Sequence, residues 1–186
     1  AKENQVVVIM DAAYAPLNFT GHPLSILSRP GGRDVALELH SMSKGFNMTG
    51  WRLGWVCGNA GAVSAFATVK DNADSGQFRA IQKASIWALD HHSELTPRIN
   101  EKYSRRLRAL TEMLKDVGFD AAMPEGSFYL YVEIPRGVKG GPTFEDAESF
   151  SEWMITEKLI STVPWDDAGH FVRFSATFVA HTLEDE

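Results

Sequence analysis

Apolar positions fall into two textures along the chain. Val6-Val7-Val8-Ile9-Met10 is an unbroken apolar run, the pattern of a strand covered on both faces in a parallel sheet. Val35 to His40 and Trp51 to Gly58 read as two further strands, and a Gly- and Pro-rich turn region from Gly21 to Gly32 precedes the first of them. After Asn59 the repeat lengthens to helical spacing. Ala60 to Val69 and Phe78 to Leu89 predict two helices, broken at Asp74-Ser75-Gly76. Thr96-Pro97 reads as an N-cap with proline in the first helical position, and Ile99, Tyr103, Leu107, Leu110 and Leu114 form one apolar stripe that stops at Gly118.

Beyond Phe119 the aromatic and branched run Ser127 to Ile134 predicts a strand, closed by Pro135-Arg136-Gly137. Thr143 to Leu159 has helical spacing through Phe144, Ala147, Phe150 and Met154, and Phe171 to Phe178 predicts a last strand. The expected class is α/β, with a smaller α+β unit after a long connecting helix. Both ends suggest a piece of a larger protein. The chain has no initiator methionine, and Thr182-Leu183-Glu184-Asp185 resembles the first turn of a helix that is not built.

Composition narrows the function. A net charge of -6 leaves no basic surplus for nucleic acid. Arg105-Arg106-Leu107-Arg108 is a local basic cluster, read as a solvated helix face. No apolar run spans a bilayer and no signal peptide opens the chain, so a cytoplasmic location is expected. The single cysteine, Cys57, suits a reducing compartment and reads as a buried core thiol. His91 and His92 would diverge on a helix, so no metal site is expected.

The chemistry concentrates in Ser41-Met42-Ser43-Lys44 and Gly50-Trp51-Arg52-Leu53-Gly54. A neutral lysine amine forms Schiff bases with carbonyl compounds, and a guanidinium binds phosphate through a bidentate fork. A cofactor carrying both an aldehyde and a phosphate, such as pyridoxal phosphate, would suit the pair. In open α/β sheets ligands gather at the carboxyl ends of strands, which is where Asp11, Tyr14 and the Ser41–Lys44 segment fall. Each residue also has a plain alternative: a solvated loop lysine, an arginine stacked on Trp51, a turn aspartate at a strand end, a core tyrosine.

Taken in order, Asp11-x-x-Tyr14, Ser41-x-Ser43-Lys44, Gly50-Trp51-Arg52-x-Gly54 and Arg173-Phe174-Ser175 resemble the motifs of class I/II aminotransferases, which are fold-type I pyridoxal-phosphate enzymes. Asp11-Ala12-Ala13-Tyr14, Glu38-Leu39-His40-Ser41, Asn47-Met48-Thr49-Gly50-Trp51-Arg52, Asp74-Ser75-Gly76-Gln77-Phe78 and Val163-Pro164-Trp165-Asp166-Asp167 resemble LL-diaminopimelate aminotransferases in particular. The resemblance implies that residues 1–95 belong to the cofactor-binding large domain with a mostly parallel sheet, 96–118 to a connecting helix, and 119–186 to a truncated small domain.

It also implies roles. Lys44 would tether pyridoxal 5'-phosphate and act as the acid-base catalyst; Asp11 would pair with the pyridine nitrogen; Tyr14 would bond the phenolic oxygen; Ser41 and Arg52 would bind the phosphate, with Ser43 as a weaker contributor. Arg173 would clamp the substrate α-carboxylate, a structural ion pair being its alternative. The implied partners are an amino acid and a 2-oxo acid, with a homodimer in the full-length form and the turn Ser75-Gly76-Gln77 near the partner subunit's cofactor. The family's N-terminal half, with its glycine-rich phosphate loop, ring-stacking aromatic and asparagine, has no counterpart here, so the piece alone is expected to have little activity. A lyase or decarboxylase on the same scaffold, or the cofactor-sensing module of a transcriptional regulator, would carry the same residues.

Overall fold

The structure is a computed structural model, and it describes residues 1–21, 23–180 and 182. The helix start expected at Thr182-Leu183-Glu184-Asp185 therefore lies almost wholly outside the described residues. The chain divides into two compact units, Ala1–Asn100 and Glu101–Glu186.

In the first unit, strand β1 (Val8–Asp11) pairs in parallel with β2 (Ala36–Ser41), in a register running from Val8↔Ala36 to Asp11↔Leu39. Strand β3 (Gly54–Gly58) runs antiparallel to β2, from Ser41↔Gly54 to Leu37↔Gly58. This sheet therefore has one parallel and one antiparallel pairing, in the order β1-β2-β3. Parallel pairing brings the carboxyl ends of β1 and β2 to one edge, and the antiparallel return of β3 brings its amino end there too.

Two one-turn helices flank β2, α1 (Gly32–Val35) and α2 (Met42–Gly45). The third strand is shorter than the Trp51–Gly58 expected, because Thr49–Trp51 winds into a 3-10 turn and Arg52 takes a left-handed conformation with φ 53°. At Gly54 the sheet allows no side chain: a Cβ would stand 2.6 Å from the carbonyl oxygen of His40. Strand β1 also begins later than the apolar run. Gln5 is left-handed and the Val6 amide bonds back to the Ala1 carbonyl, so Val6 and Val7 precede the ladder. Within this unit β1 is an edge strand, and Ile9 is 63% exposed rather than covered on both faces.

Helices α3 (Ala60–Ala73) and α4 (Arg79–Asp90) follow. The Asn59 side chain accepts from the Ala62 amide at 3.0 Å and starts α3. No residue of α3 is buried, and α4 buries only Ser85 and Ala88.

Helix α5 (His92–Asp116) begins before the expected Thr96 cap. The His91 carbonyl already accepts from the Glu94 and Leu95 amides, so the helix is under way when it reaches Pro97. Proline there lacks only the amide that would have bonded the Ser93 carbonyl, a loss close enough to the helix start to be tolerated. The other end is at Gly118 (φ 97°), where the Phe119 amide returns to the Leu114 carbonyl at 2.9 Å.

The second unit packs the later part of α5 and α6 (Ala147–Lys158) with an antiparallel sheet of β4 (Tyr129–Glu133), β5 (Val163–Trp165) and β6 (Phe171–Ser175), in the order β4-β6-β5. Alternation along β4 and β6 sends Leu130, Val132, Val172 and Phe174 into the core, beside Leu107 and Phe150. Burying a side chain such as Phe150 or Leu107 contributes about 1.5–3 kcal/mol. The basic cluster on α5 is not uniformly solvated. Arg106 is only 3% exposed, donating to the carbonyls of Ala176 (3.2 Å) and Phe178 (2.7 Å) with the Phe178 ring 4.4 Å from its guanidinium carbon. It sits three positions after Tyr103 and beside Leu107, so it falls on the apolar stripe rather than opposite it.

Helix α6 opens with a reciprocal cap between Asp146 and Ser149. Asp166 adds to it from a distance, accepting from the amides of Ala147 (2.8 Å) and Glu148 (3.2 Å) and bonding His170 Nδ1 at 2.9 Å. Backbone amides, first that of Ala147, and His170 hold the Asp166 carboxyl below its ordinary range. Strand β5, which sequence periodicity is too short to reveal, runs into this clip. Among the described residues no helix is long and apolar enough to cross a membrane.

Candidate functional site

Asp11, Tyr14, Ser41, Lys44 and Arg52 all belong to the first unit and gather at the edge where β1 and β2 end and β3 begins. Asp11 is the last residue of β1; its Oδ1 accepts from the Ala13 amide at 3.1 Å, turning the chain away from the sheet. Tyr14 lies in the turn that follows, where the Leu17 amide bonds its carbonyl at 2.9 Å. That turn is fixed from α5: Asn100 donates to the carbonyls of Pro16 (3.0 Å) and Asn18 (3.2 Å).

Ser41 closes β2 and caps α2, its Oγ accepting from the Ser43 amide at 3.1 Å. Lys44 stands in the same turn of helix, with its Nζ 5.6 Å from the centroid of the Tyr14 ring. Gly45 follows because a Cβ would meet Pro16 Cβ at 2.4 Å; this contact seats α2 directly on the Tyr14 turn.

Arg52 reaches the same helix from the 3-10 turn that precedes β3. Its guanidinium donates to the Thr49 carbonyl at 2.8 Å and reaches Ser43 Oγ at 3.5 Å, while Thr49 Oγ1 donates to the Ser43 carbonyl at 2.8 Å. Ser43 is buried, at 6% exposure, and is tied more closely to Arg52 than Ser41 is. The Met42 amide bonds the Leu53 carbonyl at 3.0 Å, which holds the 3-10 turn against α2. The result is an amine beside a phenol ring, a strand-end carboxylate, and two hydroxyls with a guanidinium, all on backbone that hydrogen bonds hold in place.

Beneath this edge lies a network that sequence reasoning missed. Glu38 is only 4% exposed. It accepts from Ser25 Oγ at 2.6 Å and the Leu27 amide at 3.4 Å, and bonds His40 Nε2 at 2.9 Å; the His40 ring lies flat on Trp55, centroids 5.0 Å apart. Burial raises the cost of its charge, but the bonds from Ser25, His40 and Leu27 outweigh it and hold the carboxyl below its ordinary value. Cys57, Glu38's partner across the β2–β3 ladder, is half-buried rather than fully buried. Burial, and then the charge of Glu38, push its thiol up. Ligand-type atoms of Glu38, His40 and Cys57 lie within 4.8 Å of one another. The signal was the Glu38-x-His40 spacing, which puts both side chains on one face of β2.

Arg173 belongs to the second unit, at the centre of β6, opposite Tyr131 of β4 and Val163 of β5. It lies on the face of the sheet turned away from the core. Its guanidinium carbon is 4.0 Å from the Tyr129 ring centroid and 5.8 Å from that of Trp165. Its Nε is buried without a hydrogen-bond partner.

Comparison with known proteins identifies the family of the chain. The profile of the family "Aminotransferase class I and II" matches residues 1–182. The LL-diaminopimelate aminotransferase of Methanocaldococcus jannaschii is 56% identical over 180 residues, which are 97% of this chain and 43% of the relative. That of Aquifex aeolicus is 43% identical over 173 residues, 92% of this chain and 43% of the relative. Among solved structures, substrate-bound BacF from Bacillus subtilis superposes with a TM-score of 0.88 at 30% identity, covering 100% of this chain and 46% of that one. The chain thus spans less than half the length of the proteins it matches. It belongs to the class I and II aminotransferase family.

Proposed function

We propose that the full-length protein is a pyridoxal-phosphate-dependent aminotransferase that moves an amino group between an amino acid and a 2-oxo acid, with LL-diaminopimelate formation in lysine biosynthesis as its reaction. The carrying observation is the convergence of Lys44, Tyr14, Asp11, Ser41 and Arg52 on one sheet edge. The substrate assignment is supported by the 56% identity to a relative that bears that name.

The donor set fits the cofactor. Ser41 and Ser43 offer hydroxyls and Arg52 a cation beside them, the combination that holds a phosphate dianion. Asp11 offers an acceptor for a protonated ring nitrogen, and Tyr14 a phenol for a ring oxygen. Bound there, pyridoxal phosphate supplies an aldehyde for amine exchange and an electron-withdrawing ring. Lys44 would hold the cofactor when no substrate is present and would take the proton from the substrate α-carbon as a positioned base. Arg173 binds the substrate carboxylate and so fixes which bond at that carbon reacts.

In this reading residues 1–95 are part of the cofactor-binding domain, 96–118 the connecting helix and 119–186 part of the small domain. The full protein works in the cytoplasm as a homodimer, and the 186-residue piece alone has little activity. Borohydride reduction of the full-length protein loaded with pyridoxal phosphate, followed by peptide mapping, tests the assignment. The reduced adduct is expected on Lys44; an adduct on another lysine, or none, overturns it. Incubation with LL-diaminopimelate and 2-oxoglutarate should give glutamate. Release of free ammonia or carbon dioxide without amino transfer would replace the transferase with a lyase or decarboxylase.

A further inference from the structure

An arginine in the middle of a three-stranded sheet ordinarily finds a carboxylate, because an unpaired guanidinium is costly to desolvate. Arg173 forms no ion pair among the described residues, and its buried Nε donates to nothing. What surrounds it is aromatic. Tyr129 precedes its cross-strand partner Tyr131 by one alternation, and Trp165 follows its other partner Val163 by one. Period-two alternation puts both rings on the face that carries Arg173. Their centroids lie 4.0 Å and 5.8 Å from the guanidinium carbon, within the range of cation–π attraction. Neither contact uses up an N–H donor.

The Trp165 side of this bracket is anchored. The next residue, Asp166, is pinned to the first amides of α6 and to His170, so the chain carrying the tryptophan is tied down immediately after the ring. Tyr129 is held in the β4–β6 ladder through Tyr129↔Ser175. An unrestrained arginine loses rotamer freedom when it captures a carboxylate, whereas one already held between rings loses less.

We propose that Tyr129 and Trp165 are positioning residues for Arg173, orienting its guanidinium so that its donors stay open to a substrate carboxylate. This rests on the reading of Arg173 as the carboxylate clamp. The two rings act through Arg173 on substrate binding and leave the amine chemistry of Lys44 untouched.

The test is steady-state kinetics of the full-length holoenzyme with the amino-acid donor, alongside the absorbance spectrum of the bound cofactor. Arg173→Lys comes first: it is expected to raise KM, and an unchanged KM means that Arg173 is not the clamp and removes the basis of the inference. Given that rise, Tyr129→Ala is expected to raise KM about five- to tenfold with kcat and the spectrum unchanged. Tyr129→Leu, which keeps the bulk without the ring quadrupole, is expected to raise KM similarly, and Tyr129→Phe to restore it. Trp165→Ala, at the longer distance, should raise KM about two- to threefold. A wild-type KM in both Tyr129→Ala and Tyr129→Leu, with Arg173→Lys impaired, overturns the proposal. So does a fall in kcat or a shifted cofactor spectrum with KM unchanged.

Discussion

The two units of this chain are built to different degrees of completeness. The second closes a core around Leu107, Phe150, Leu130, Val132 and Val172, each nearly inaccessible. The first carries almost all the polar chemistry on a sheet whose edge strand leaves Ile9 exposed and beside a helix, α3, that buries nothing. Its order comes from hydrogen bonds around short segments, such as the Ser41 cap, the Arg52–Thr49 bond and the Asn100 tether. The lesson is that local geometry at a polar sheet edge can be fixed by hydrogen bonds even where apolar packing is thin. The relatives are more than twice as long as the part matched here, and the exposed apolar side chains of this unit are suited to cover by further chain.

This contrast predicts that substitutions in the first unit act on chemistry and those in the second on stability. The largest effect should come from Lys44→Ala in the full-length protein, with turnover falling on the order of 10²–10⁴-fold or more while the melting temperature of the cofactor-free form barely moves. Steady-state turnover and thermal unfolding, measured side by side, check it. A large loss of stability would place Lys44 in the scaffold.

Phe150→Ala should do the reverse, costing about 3–5 kcal/mol of stability through the cavity it leaves, read by denaturant unfolding. Arg106→Met removes a donor from the Ala176 and Phe178 carbonyls while keeping bulk, and should cost about 1–3 kcal/mol by leaving the buried Ala176 carbonyl without this donor. If Arg106→Met proved neutral, the second unit would owe less to this polar tie than its burial suggests.

The smallest effect concerns pH. Glu38 has a folded-state value below its ordinary 4.5, so the folded state binds its proton less tightly than the unfolded one. Its stabilising contribution is therefore fully present above that ordinary value and is lost as pH falls through the lower, folded-state value. Thermal unfolding of the wild type between pH 6 and pH 3 should steepen its decline on the acid side, and Glu38→Gln should flatten that part of the curve. Equal slopes would mean that the Ser25 and His40 bonds do not distinguish the two ionisation states.

Much of this was legible in the sequence because the signals are short and local. The Asp11, Lys44 and Arg52 motifs mark strand ends and tight turns, and turns are written in a few residues. The alternation of Leu130 and Val132 and the stripe of Tyr103, Leu107 and Leu114 likewise state which face is inward. What escaped was non-local. Nothing near Arg106 says that the carbonyls of Ala176 and Phe178 will come to it. Glu38 and Cys57 meet only because β3 returns antiparallel. Thr96-Pro97 has the chemistry of a helix start, yet the amides of Glu94 and Leu95 had already found the His91 carbonyl. The rings about Arg173 come from separate strands, and no window of sequence contains all three.

Arg52 holds its guanidinium toward Ser43 from a left-handed backbone, with φ 53° and ψ 52°, which costs a non-glycine residue about 1–2 kcal/mol. Glycine or asparagine would occupy that position with less strain. Substituting either of them would relax the backbone and remove the cation that the proposed function assigns to the cofactor phosphate. On the proposed function, position 52 therefore trades stability against binding: arginine keeps the guanidinium beside Ser43 at the cost of backbone strain, and glycine or asparagine would give the strain back and lose the contact.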